Sequence, residues 1–265
     1  MTNTLKNERT RLREEYADTQ TENTRLREEC SDIGEENIPV PDGLSLIRTE
    51  KGLTLTDGKL TLSGDFTELL PRLRKDRLSG ELLIKACRIR NLNGPVTVVD
   101  ATAGMGEDSL LLAEAGFWVL LFEKDPVIGA LLSDTLLRSR DIPELSAAVG
   151  RMTLYREDSI SAMRNMNGDD KAPDIIFLDP MFPGRTKSGK IGKKFQLLQR
   201  LECPCADEAE LLAAAVSANP RKIVIKRPLK GPFLAGRKPD YSVSGKAVRY
   251  DVLVFAGRMP GNTPI

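Results

Sequence analysis

Residues 96–108, VTVVDATAGMGED, constrain this chain more than any other stretch. A β-branched run leads into an acid, then a glycine-rich turn, then residues that open a helix. Branching at Cβ crowds a helix but suits a pleated surface, so Val96–Asp100 predicts a strand. Glycine has no Cβ, so Gly104 and Gly106 allow a ligand close to the backbone. From here on, apolar runs alternate with stretches of helical spacing. Strands are expected at Val96–Asp100, Trp118–Glu123, Met152–Arg156, Asp174–Leu178, Lys222–Lys226 and Tyr250–Ala256. Helices are expected at Asp108–Ala115, Pro126–Arg138, Ser159–Met166 and Asp207–Ala218. This alternation implies an α/β fold: a Rossmann-like parallel sheet, helices on both faces, ligands at its carboxyl edge.

The chain ahead of that domain reads differently. Ile38–Gly43, IPVPDG, is a linker or turn, and Leu44–Arg48, Gly52–Leu55 and Lys59–Ser63 alternate apolar and polar residues. Asp57-Gly58 between the last two is a hairpin signal, so a small antiparallel sheet is expected. Phe66–Arg90 carries leucines at helical spacing. Thr10–Asp18, TRLREEYAD, nearly repeats as Thr24–Asp32, TRLREECSD. Its charge favours helix, but its apolar positions are too sparse for a coiled-coil seam, which leaves a solvated extension. The expected division is a charged helical extension over 1–37, a β-rich subdomain over 38–78 and the α/β domain over 79–265.

Several classes drop out on composition. Lys+Arg number 39 and Asp+Glu 38, so overall charge does not advertise a polyanionic partner. No run of roughly 18 apolar residues suggests a membrane span, and the N-terminus lacks the apolar core of a signal peptide. A cytoplasmic protein is expected. The four cysteines are too scattered for a disulfide framework, and Cys203-Pro-Cys205 has no second pair, so no metal is expected. With no histidine, imidazole-based triads are excluded.

The candidate site follows the strand ends. Asp100 closes the first strand, and Gly104 and Gly106 give G-x-G without the third glycine of a dinucleotide fingerprint. An acid there repels a pyrophosphate but suits the cationic amino-acid end of S-adenosylmethionine (SAM). Glu107 and Asp108 add negative charge at a helix start, where acids also cap. Glu123, followed by Lys124, stands where a ribose diol is held, and Asp158-Ser159 can accept from an adenine amine or cap the next helix. Asp179-Pro180-Met181-Phe182 ends a later strand with a carboxylate, a carbonyl and a flat ring. Methyl transfer from a sulfonium to nitrogen needs positioning more than a strong base. Asp179 and the Pro180 carbonyl are placed to accept from an exocyclic amine, with Phe182 stacking on its base. Gly184–Phe195 then holds Arg185, Lys187, Lys190, Lys193 and Lys194 with no acid, and Lys226-Arg227 lies at another strand end. Basic loops beside a site suit RNA phosphates.

These residues resemble the ribosomal RNA small subunit methyltransferase J family, SAM-dependent enzymes that methylate a guanine exocyclic amine in 16S rRNA. The resemblance is carried by DATAGMGEDS (Asp100–Ser109), FEKDPVIGALLSD (Phe122–Asp134), LDPMFP (Leu178–Pro183), KK-F (Lys193–Phe195), VIKRP (Val224–Pro228) and RYDVL (Arg249–Leu253). It implies a class I methyltransferase fold and SAM contacts at Glu107, Asp108, Glu123, Lys124, Asp158, Ser159 and Asp179. It also implies small-subunit rRNA or the 30S particle as partner. The other readings are methylation of an adenine amine or of another RNA, and a SAM- or RNA-binding protein without catalysis.

Overall fold

The computed structural model describes residues 38–90, 92, 94–166, 172–180, 193–201 and 207–255. The expected N-terminal extension, Phe182, Arg185, Lys187, Lys190, Cys203 and Cys205 lie outside the described residues.

Two sheets are present. The first is antiparallel, β1 (Ser45–Thr49), β2 (Gly52–Thr56) and β3 (Thr61–Leu62), in that order. Its second connection is the expected Asp57-Gly58 hairpin. The Asp57 carboxylate accepts from the amides of Lys59 (2.9 Å) and Leu60 (2.8 Å), and Gly58 has φ +84°. An Asx side chain that closes on the next backbone amides makes a turn without help from the rest of the fold. Short helices α1 (Leu70–Leu73), α2 (Lys75–Leu78) and α3 (Leu82–Cys87) follow.

The second sheet has seven strands: β4 (Thr97–Asp100), β5 (Trp118–Phe122), β6 (Met152–Tyr155), β7 (Ile175–Leu178), β8 (Lys222–Pro228), β9 (Tyr241–Ser244) and β10 (Val248–Val254). Their order is β6-β5-β4-β7-β8-β10-β9. The first five are mutually parallel, whereas β10 runs antiparallel to both β8 and β9. The expected all-parallel sheet therefore needs correcting at one edge. A parallel return requires a crossover, usually a helix, to carry the chain back. Between β8 and β10 the described chain has only the three-residue 3-10 turn Leu234–Gly236 and β9, so the edge is built from hairpin-like returns.

Alternation along each strand divides the core. Val98, Ile175, Phe177 and Val224 face one apolar layer. Val99, Ile176, Leu178, Ile223 and Ile225 face the other. Successive strand side chains point to opposite faces, so a run apolar at every position is the mark of a sheet covered twice. The first layer is covered by α3, α4 (Glu107–Glu114), α5 (Pro126–Ser139) and α6 (Pro143–Val149). The second is covered by α7 (Ser159–Arg164) and α9 (Glu208–Ser217). α8 (Lys193–Leu201) completes the order. Its start corrects the sequence reading, since Lys193 and Lys194 open a helix instead of continuing the basic loop. Among the described residues no helix is long and apolar enough to cross a membrane.

Candidate functional site

The turn after β4 is tied to its neighbours from three sides. The Ala101 amide donates to Phe177 O and the Ala103 amide to Phe122 O, each at 3.1 Å. Asp100 is buried at 1% exposure; it accepts from the Ser109 hydroxyl (2.6 Å) and the Thr102 amide (3.1 Å), binding strand end to helix start. Burial pushes its carboxyl up to about 7, against those two hydrogen bonds. Gly106 caps α4 at φ +76°, and a Cβ there would stand 2.6 Å from a Leu132 methyl carbon. Gly104 has φ +54° with open space where a Cβ would go, so the backbone there presents a bare surface.

Glu123 follows β5 and holds the same turn. One carboxylate oxygen accepts from the Gly104 amide (2.9 Å), the other from the Asp125 amide (2.8 Å). Burial raises its pKa, partly offset by those amides. Asp158 caps α7, accepting from the Ser161 amide and hydroxyl at 3.0 Å each, and Ser159 is buried behind it. Both expectations for the capping acid thus concern one residue at one helix start.

The Asp179 amide donates to the Thr102 hydroxyl oxygen (2.7 Å), which joins the β7 end to the glycine turn. Lys226 Nζ lies between the Asp108 carboxylate (2.5 Å) and the Asp179 carboxylate (2.9 Å). Burial disfavours its charge, yet the two carboxylates prevail and hold its pKa above the usual lysine value. Tyr250, opposite Lys226 in the β8–β10 register, has its phenol raised by burial and by the Asp108 charge. Lys226, expected among the phosphate-facing cations, is instead the bridge between two site carboxylates. Arg227 is corrected outright. It is 1% exposed, with Nε donating to Pro232 O (3.0 Å) and one terminal nitrogen to Glu208 (3.0 Å), so it has no surface to offer a phosphate.

These strand ends open on one cavity of about 800 Å³. It is lined by Asp100, Gly104, Glu107, Asp108, Glu123, Lys124, Asp158, Ser159, Asp179 and Pro180, which brings together the expected cofactor residues except Gly106. Gly106 instead sits beneath the turn. Roughly 300–1,000 Å³ is the size of a small-molecule site. Acidic side chains outnumber the basic ones, Lys124, Lys226 and Arg227, of which the last two are already held by acids. That acceptor set fits a cofactor rich in hydroxyl and ammonium donors, as SAM is, and not a pyrophosphate. Among the described residues no cluster of acids and thiols could hold a metal.

Sequence reasoning missed two parts of this wall. Thr102 lies inside the motif but gave no sign that it would hold Asp179. The segment Leu62–Phe66, which leaves the small sheet at the end of β3, also lines the cavity, together with Leu198 and Leu201 of α8. Nothing local marks these residues, because only the docking of one sheet beside the other puts them there.

A family profile of SAM-dependent methyltransferases matches residues 41–255. The chain is 42% identical over 174 residues to ribosomal RNA small subunit methyltransferase J of Pseudomonas fluorescens, covering 66% of each chain. It thus spans just under two thirds of that relative's length. Against the enzyme of the same name from Neisseria meningitidis it is 37% identical over 209 residues, 79% of this chain and 82% of the relative. The crystal structure of a SAM-dependent methyltransferase from Neisseria gonorrhoeae superposes with a TM-score of 0.67 at 32% identity, covering 86% of this chain and 89% of that one.

Proposed function

This chain belongs to the ribosomal RNA small subunit methyltransferase J family of SAM-dependent methyltransferases, and on that premise we propose that it methylates the exocyclic N2 amine of a guanine in small-subunit ribosomal RNA. One observation carries the reading: the bare glycine turn with Glu123 and the strand-end Asp179-Pro180 face a single cavity.

SAM, when bound, supplies a methyl group made electrophilic by its sulfonium. The chain's own residues do the rest by positioning. Glu123, held by two backbone amides, keeps acceptor capacity for a ribose diol, and the Asp108 and Asp158 carboxylates suit further donors of the cofactor. Asp179 accepts from the amine, and the Pro180 carbonyl takes its second N–H. These two bonds turn the nitrogen lone pair toward the methyl. Lys226, 2.9 Å from it, holds the Asp179 carboxylate in place while positive charge develops on nitrogen, and the released proton has that carboxylate as its first acceptor. Guanine presents N1–H and N2–H side by side, two donors that suit one carboxylate. Adenine sets an acceptor next to its amine, which a carboxylate repels. That difference favours guanine over the adenine reading. Arg185, Lys187, Lys190, Lys193 and Lys194 supply cations for the RNA backbone. An assembled 30S particle or its naked rRNA serves as partner, which places the protein in the cytoplasm.

Transfer of labelled methyl from SAM to protein-free small-subunit rRNA, 30S particles and tRNA, followed by nucleoside analysis, tests this. Label is expected on guanine N2 of small-subunit RNA. Asp179→Ala should lower kcat by roughly two to three orders of magnitude with Tm little changed, and SAM affinity is measured alongside because Asp179 is also among the expected cofactor contacts. Label on adenine, or near-normal turnover in the variant, would overturn the assignment.

A further inference from the structure

After β8 the chain rises into a loop, residues 229–240, that the reaction scheme leaves unused. Its root is beside the cavity, since Pro228 and Val248 both line it. Two buried arginines hold it from beneath. Arg227 donates to Pro232 O, and its partner Glu208 also accepts from the Ala235 amide (3.0 Å). Arg249, 7% exposed, donates one terminal nitrogen to Pro228 O (2.9 Å) and Leu229 O (2.8 Å), while Asp251 holds its Nε. Ala235 is kept at φ +47°, a conformation alanine rarely adopts. The loop's shape is therefore fixed before anything binds.

What it displays is exposed. Lys230, Arg237 and Lys238 face solvent, and no acid occurs between Leu229 and Lys238. Lys246, on the β9–β10 turn, adjoins Lys230, for the Leu229 amide donates to Ala247 O (3.0 Å), whereas Arg237 and Lys238 lie farther along, toward Asp240, whose amide donates to Val252 O (2.9 Å). Phe233 is 37% exposed although the Arg249 guanidinium lies 5.1 Å from its ring centroid. Leu229 is exposed to the same degree. A rigid row of cations with an aromatic ring among them is the chemistry of single-stranded nucleic-acid binding, where cations follow the phosphates and a ring takes a base.

We infer that this loop, with Lys246, is an RNA platform that begins at the cavity mouth: Lys230 and Lys246 neutralise the phosphates nearest the target base, Arg237 and Lys238 those farther along the strand, and Phe233 stacks on a neighbouring base. The inference rests on the RNA-methylating reading above. Its cations are other than those of residues 184–195, and its backbone is braced by the buried Arg227 and Arg249.

The test uses the full chain with protein-free small-subunit rRNA and a short single-stranded RNA oligonucleotide. In the Lys230→Gln/Arg237→Gln/Lys238→Gln variant, the log–log salt slope of binding should flatten by roughly two to three units. KM for RNA should rise about tenfold or more while kcat, SAM affinity and Tm stay near wild type. Phe233→Leu keeps an apolar side chain under the same backbone but loses the ring. It should weaken oligonucleotide binding roughly fivefold or more with the slope unchanged. A wild-type slope in the triple variant, in a protein that still methylates the rRNA, would overturn the platform alone. A wild-type protein that neither binds nor methylates RNA would overturn the functional reading as well.

Discussion

Asp100 shows how one residue can be legible in place while its partners are not. As the acid after a strand it reads as a charge for the cofactor's cationic end. The structure buries it and gives both oxygens to Ser109 and Thr102, so its first task is to hold the turn. Its carboxyl titrates near 7 when folded, against 3.8 ordinarily. Between those values the folded state binds the extra proton. The stabilisation is then fully present below about pH 4, declines as pH rises, and is lost above about pH 7. Wild type should therefore lose on the order of 2 kcal/mol relative to Asp100→Asn between pH 5 and pH 8, as measured by denaturant unfolding. Parallel stability curves for the two proteins would mean the group titrates in its ordinary range. Lys226 carries the complementary lesson. A lysine after a strand reads as surface charge, and only the approach of Asp108 and Asp179 turns it inward.

Among the elements, the docking of the small sheet on α5 shapes the cavity wall. Asp134, 8% exposed, accepts from the Leu53 amide of β2 (3.0 Å), from Arg48 of β1 (3.1 Å) and from Arg138 (2.7 Å). Arg138 in turn donates to Gly64 O (2.7 Å), inside the segment that faces the site. Asp134→Ala would strand a buried amide and release that arginine. It should cost about 2–4 kcal/mol and weaken SAM binding, measurable by thermal unfolding and calorimetry. Unchanged SAM affinity despite the lost stability would show that the clamp holds the sheet without shaping the site. The hairpin of this sheet was readable, because Asp57 and Gly58 make their turn locally. The antiparallel β9–β10 edge was not, since strand direction depends on what the chain does between strands.

At the scale of the whole molecule, the described structure begins at residue 38, and residues 1–37 lie outside it. From their charge and sparse apolar positions we propose that residues 1–37 are a solvated extension, so a chain starting at Ile38 should keep its Tm within about 2 °C and its methyl transfer within about twofold. A large loss of rRNA methylation in that chain would instead make the Thr10–Asp18 and Thr24–Asp32 repeat part of the substrate platform. The net charge of +1 tells nothing of where charge lies, and the structure separates it: acids around the cavity, cations on the loop beyond β8. What the sequence determined by itself was everything set within a few bonds or along one strand. That covers the doubly buried strands, the helix caps, the glycine turn and the strand-end Asp179-Pro180, for local sterics and period-two alternation act between near neighbours. Tertiary structure alone decided which face Lys226 and Arg227 serve, how the last strands run, and which wall closes the cavity. Each of these depends on groups far apart in the chain, whose energies exist only once they meet.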